Sequence, residues 1–83
     1  PLTAPSKLGL QARITRRFDE VKALYEDFLK RHPDHAHGHL AYGSFLNDLG
    51  QEQEAIGRWE KSRELDPANP AAWNNLALSL IHI

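Results

Sequence analysis

Four histidines, His32, His35, His37 and His39, crowd one short stretch of the chain. His35 and His39 are four residues apart, which puts both rings on one face of a helix, the spacing of many zinc ligands. Hydrolytic chemistry on such a pair needs a glutamate directly after the first histidine as general base. That place holds Ala36, and the nearest carboxylates are Asp34 and Asp48. The cluster therefore reads as turn histidines, with His39 in a packing role, and a zinc site is the weaker alternative. Ser44, Ser62 and Ser79 have no histidine and acid at a spacing that would make a nucleophile. Gly43, Gly50 and Gly57 fit no phosphate-binding loop. With no cysteine there is no thiolate, no disulfide and no cysteine zinc site. No catalytic residue, metal ligand or cofactor is assigned, and the chain is not expected to be an enzyme.

Its 83 residues suffice for one small domain. The net charge of −1 gives no overall basic excess of the kind nucleic acid attracts, so no nucleic-acid partner is expected. Charge is nevertheless uneven: residues 1–33 carry seven Lys/Arg against four Asp/Glu, and residues 34–83 three against seven. This reads as complementary ends or a solvated face. Arg13, Arg16 and Arg17 make a small basic run within it. No apolar run approaches the roughly 20 residues that span a bilayer, and no signal peptide is visible. No membrane partner is expected, and cytoplasmic localisation is the expectation.

Hydrophobic spacing supplies the elements. Residues 1–6 are turn-rich, and Lys7 to Thr15 suit a short helix with Leu8, Ala12 and Ile14 as apolar positions. Phe18, Val21, Leu24, Tyr25, Phe28 and Leu29 recur at three- and four-residue steps, the stripe of a second helix ended by Pro33. The residue before a proline is pushed out of the helical region, so His32 should be extended. Asp34 reads as the N-cap of a helix over about 35–49, with His39, Tyr42, Phe45, Leu46 and Leu49 apolar. Gly50 sits where a left-handed residue ends that helix. Another helix runs from about Gln51 to Leu65 on Ala55, Ile56 and Trp59. Asn69 and Pro70 then read as an N-cap and first helical residue, opening a helix with Trp73, Leu76, Ala77 and Leu80. The pairs Glu26–Lys30, Asp27–Arg31 and Glu54–Arg58 stand at i, i+4.

These elements repeat with a step of 34. Leu8, Tyr42 and Leu76 share one phase, Gly9, Gly43 and Ala77 the next; Val21 and Ala55, Tyr25 and Trp59, and Pro33 and Pro67 follow in register. A period of this length is the mark of stacked helix pairs, none of which buries its apolar face alone. The segment 36–69, with His39, Tyr42, Gly43, Leu46, Ala55, Trp59, Ser62 and Pro67 in the consensus places, resembles a tetratricopeptide repeat (TPR). Trp73, Leu76 and Ala77 resemble the opening of a following repeat, and Val21, Tyr25 and Pro33 the close of a preceding one. Phe28 and Val21 stand there in places the family gives to small residues. Pro5 stands in the tryptophan position, and Arg16 where Gly50 turns the later repeat.

The resemblance implies an all-α, right-handed superhelix of antiparallel helix pairs, about two and a half repeats long. Residues 1–35 would be a degenerate repeat, 36–69 a complete one and 70–83 the first helix of a truncated one. It implies a non-catalytic scaffold that binds a peptide or a partner helix in its concave groove. The wall of that groove would carry His37, Leu40, Ser44, Asn47 and Asp48 from the complete repeat, and Asn74, with Leu78, from the next. None of these is lysine or arginine, which argues against the clamp for peptide C-terminal carboxylates found in one branch of the family. The alternative implied is a substrate-presenting arm of a larger enzyme such as a glycosyltransferase or sulfotransferase. Self-association through the uncapped C-terminal repeat is a further expectation. The chain reads as part of a longer protein, and residues 78–83 resemble the translation of a transposon-based sequencing adapter (CTG TCT CTT ATA CAC ATC).

Overall fold

The computed structural model describes residues 6–81, which form four helices: α1 (Lys7–Arg31), α2 (Ala36–Asp48), α3 (Glu52–Leu65) and α4 (Pro70–Ile81). No strand occurs among the described residues. Pro5, and the last two residues of the adapter-like tail, His82 and Ile83, lie outside them. The architecture is all-α.

The N-terminal region departs from expectation. Residues 7–31 make one continuous helix in place of two helices joined by a turn near Arg16. The reason lies in what this stretch lacks. The later turn depends on Gly50, whose φ of 82° a side chain rarely adopts. Arg16 in the same phase carries a Cβ that penalises that conformation, and no proline interrupts 7–31. Helix propagation through Thr15–Arg16–Arg17 is then the cheaper path. Ser6 opens α1, its hydroxyl accepting from the Gly9 amide at 3.0 Å.

The turn between α1 and α2 recurs, 34 residues on, between α3 and α4. His32 donates its amide to the Phe28 carbonyl at 2.8 Å, as Asp66 does to Ser62 at 2.9 Å. The His35 amide bonds the His32 carbonyl at 3.1 Å, as Asn69 bonds Asp66 at 3.2 Å. A ring nitrogen then closes each turn: His39 Nε2 lies 2.8 Å from the Pro33 carbonyl, and Trp73 Nε1 donates to the Pro67 carbonyl at 3.0 Å. Since a carbonyl only accepts, His39 carries its proton on Nε2. The N-caps differ from expectation at one of the two turns. Asn69 Oδ1 accepts from the Ala71 amide at 3.0 Å, as its position before Pro70 predicts. The cap of α2 is His35, not Asp34: its Nδ1 accepts from the Gly38 amide at 2.9 Å, one residue beyond the predicted boundary.

Side chains fix the order in which the helices pack. Phe18 meets Phe45, Tyr25 stacks on Tyr42 with ring centroids 5.1 Å apart, and Leu29 reaches Gly38, so α2 returns along α1. Gly43 faces Ala55 and Trp59, so α3 returns along α2. Leu29, Leu40, Tyr42, Leu46, Ala55, Trp59 and Ala72 are the buried core. Of the three surface ion pairs expected, Asp27–Arg31 forms at 2.9 Å. Glu26 instead accepts from the Tyr42 hydroxyl at 2.7 Å, and Glu54 reaches Lys22 across the α1–α3 gap at 3.4 Å.

The Tyr42 contact has a pH signature. Burial first, and then the hydrogen bond to the Glu26 carboxylate, push the Tyr42 hydroxyl well above its ordinary range, against the smaller pull of Arg58 over the ring. The folded chain thus holds this proton more tightly than the unfolded one. The stabilisation is complete below pH about 10, the unfolded value, and is lost as pH rises through the higher folded value. Denaturant midpoints should therefore fall more steeply above pH about 10 in the parent than in Tyr42→Phe. Parallel curves would contradict the assignment.

Candidate functional site

A concavity lies where the C-terminal ends of α2 and α4 flank the first two turns of α3. It is an open cleft of about 430 Å³. Ser44, Asn47 and Asp48 project from α2, Glu52 stands at the start of α3, and Asn75 and Ser79 come from α4. Between them Ile56, Leu78, Ile81 and the edge of Trp59 supply apolar surface. The position of this wall follows from local structure. Gly50 turns the chain sharply enough that Asp48, ending α2, and Glu52, opening α3, share one rim. Asn69 and Pro70 start α4 at the far end, so that its last turns come alongside.

The expected wall residues divide. Ser44, Asn47, Asp48 and Leu78 line the cleft. Leu40 is buried and packs in the core. His37 is exposed at the opposite end of α2, beside an apolar groove formed with Val21, Leu24, Tyr25 and Phe28. Asn74 is exposed and lies outside the cleft, where Asn75 takes the corresponding place. Glu52 and Ile56 are the residues that sequence reading missed. They belong to the second helix of the pair, and periodicity alone does not show that its first turn reaches the groove.

The histidines serve local structure. His35 caps α2 through Nδ1, His39 is buried with Nε2 on the Pro33 carbonyl, and His32 packs its ring against Phe28. Among the described residues no three His, Asp or Glu side chains come together in a way that would hold a metal ion. Trp59 is core, whereas Trp73 is half exposed, with the Arg63 guanidinium 4.9 Å from its ring centre.

No protein-family model matches the chain, and neither a curated protein nor a solved structure does. The site is therefore read from its own chemistry. Two carboxylates, two amides and two hydroxyls surround an apolar floor, and no lysine or arginine lines the cleft. Such a surface favours hydrogen-bond donors and positive charge, set beside apolar side chains. The acidic rim comes from α2 and α3, while Leu78, Ser79 and Ile81 of the adapter-like tail form part of the wall opposite it.

Proposed function

We propose that this chain is a short TPR-like array and a non-catalytic scaffold. Its cleft takes a peptide segment that presents a lysine or arginine next to an apolar side chain. The observation that carries the reading is the cleft itself, an Asn47–Asp48–Glu52–Asn75 rim over an apolar floor. The repeat reading draws support from the turn that recurs after 34 residues with the same backbone bonds and the same ring-to-proline contact. It also draws support from the close approach of α2 and α3 at Gly43. The concave-groove position follows from that reading, since first helices of successive pairs wall such a groove.

The rim selects by charge. A cationic side chain between Asp48 and Glu52 gains from both carboxylates, whereas an acidic peptide meets two like charges. The apolar neighbour of that cation covers Ile56 and the Trp59 edge, which provides affinity that charge alone does not supply in water.

Selection of random short peptides on the intact chain should enrich Lys or Arg adjacent to Leu, Ile or Phe. Asp48→Lys should weaken binding of an enriched peptide about tenfold or more. Asp48 ends α2, where a positive charge suits the helix dipole, so this change should leave the melting temperature level or slightly raised. Enrichment of acidic peptides, or affinity indifferent to Asp48→Lys, would overturn the proposal.

A further inference from the structure

Along α1, Leu10, Ile14, Arg17, Val21, Leu24 and Phe28 follow one another at steps of four, three, four, three and four residues. That is the spacing of a coiled-coil seam, with β-branched Ile14 and Val21 in equivalent heptad places and one polar residue, Arg17, within it. The seam is largely open. Leu10 is 48 % exposed, Ile14 43 % and Leu24 70 %. α2 packs on the neighbouring face of α1 through Phe18, Tyr25 and Leu29, and it touches the last seam residue, Phe28, at Gly38 and His35, leaving the seam from Leu10 to Leu24 open. Beside it, Val21, Leu24, Tyr25 and Phe28 border an apolar groove of about 460 Å³ that ends at Gly38.

We propose that two copies of this chain pair through α1, antiparallel, the N-terminal half of each helix lying in the groove of the other. One register satisfies the whole seam. Leu10 faces the second copy's Phe28, Ile14 its Leu24, and Arg17 its Val21, about a two-fold axis at Asp19. Each of these pairs is related by the same axis, as an isologous dimer requires.

Charge selects this orientation. Residues 7–17 carry Lys7, Arg13, Arg16 and Arg17 and no acid, whereas residues 18–27 carry Asp19, Glu20, Glu26 and Asp27 against Lys22 alone. Antiparallel pairing lays the basic half of each helix on the acidic half of the other, with Arg13 beside Asp27, while the two Glu20 side chains meet at the two-fold flanked by the two Arg17 guanidinium groups. A parallel pair would stack Arg17 on Arg17 in the seam and set the two basic halves side by side. The same segregation suits a second copy better than a partner of uniform charge. The pairing does not involve the cleft between α2 and α4, and it stands or falls without the peptide-binding reading.

The chain lacks cysteine, so single cysteines report the register directly. Sedimentation equilibrium of the intact chain should give twice the 9.4 kDa monomer mass at micromolar to submillimolar concentration. Mixed under mild oxidation, Ile14→Cys and Leu24→Cys chains should form the hetero-cross-linked dimer. Each alone should remain uncross-linked, because the two-fold places like positions about 15 Å apart along the axis. Leu24→Asp changes an exposed side chain and should give a monomer whose α2–α3 signals are unchanged by NMR. A monomer at every concentration would overturn the proposal. So would cross-linking of Ile14→Cys with itself, or a dimer that survives Leu24→Asp.

Discussion

Replacing Trp59 by alanine will cost about 3–5 kcal/mol, the range for removing a buried aromatic side chain, and will leave most of the chain unfolded at room temperature. The ring is 5 % exposed, lies between α2 and α3 against Gly43, and borders the cleft floor. Few other large side chains share its load: Tyr42 and Leu46 are the only large side chains fully buried among the described residues. A domain of this size holds a few kcal/mol of stability in total, so a loss of that size approaches the whole. Trp59 Nε1 is buried without a hydrogen-bond partner, so the wild-type ring already bears part of a desolvation penalty. The lower half of the range is the better expectation for that reason. Circular dichroism and urea titration of Trp59→Ala measure it. A shift under 1 kcal/mol would show that the ring does not hold α2 on α3.

The sequence carried α2, α3 and α4 to within a residue or two because their ends are written in residues with one conformational meaning. Gly50 supplies the positive φ, and Asn69 with Pro70 supplies a cap and a first turn. The end of α1 was legible for the same reason, in Pro33. Its interior was not. The periodicity that set Leu8 and Gly9 in phase with Tyr42 and Gly43 says where a turn belongs in the repeat, but Arg16 does not provide one. A phase without a breaker leaves a straight helix, and with it an open apolar seam. The cap at His35 was missed because imidazole is a less usual cap than the carboxylate of Asp34. The repeat resemblance, not spacing, set Ser44, Asn47 and Asp48 on one wall of α2, and these three line the cleft. Leu40 shares their phase but is buried, and Asn75 replaces Asn74, since rotation by one residue on α4 depends on how that helix packs. Glu52 and Ile56 needed the angle between α2 and α3, which no spacing encodes.

That angle rests on Gly43, and the same contact predicts a change of sign. A Cβ on Gly43 would stand 2.5 Å from Trp59 Cδ1 and Nε1 and 3.1 Å from the Ala55 carbonyl oxygen. The indole is a rigid, buried neighbour that cannot clear a 2.5 Å contact without moving α3, whereas the carbonyl at 3.1 Å needs to give by only a few tenths of an ångström. Gly43→Ala should therefore destabilise the chain by about 1–3 kcal/mol, the cost of overpacking. This holds although alanine in a helix interior is worth about 1 kcal/mol over glycine. Removing the indole removes the nearest obstacle and opens a cavity beside the new methyl group. In a Trp59→Ala background, Gly43→Ala should then stabilise, by the helix-propensity gain of about 1 kcal/mol. The two single changes and the double change make a thermodynamic cycle with a coupling of about 2–4 kcal/mol, large because the groups collide directly. Trimethylamine N-oxide can be added at one fixed concentration to bring the alanine variants into a measurable folded range. Additive effects would mean that the glycine is tolerated at this crossing and not required by it. A reversal of sign would make the Gly43–Trp59 contact the determinant of how closely α2 and α3 pack, and so of the wall on which Asp48 and Glu52 stand together.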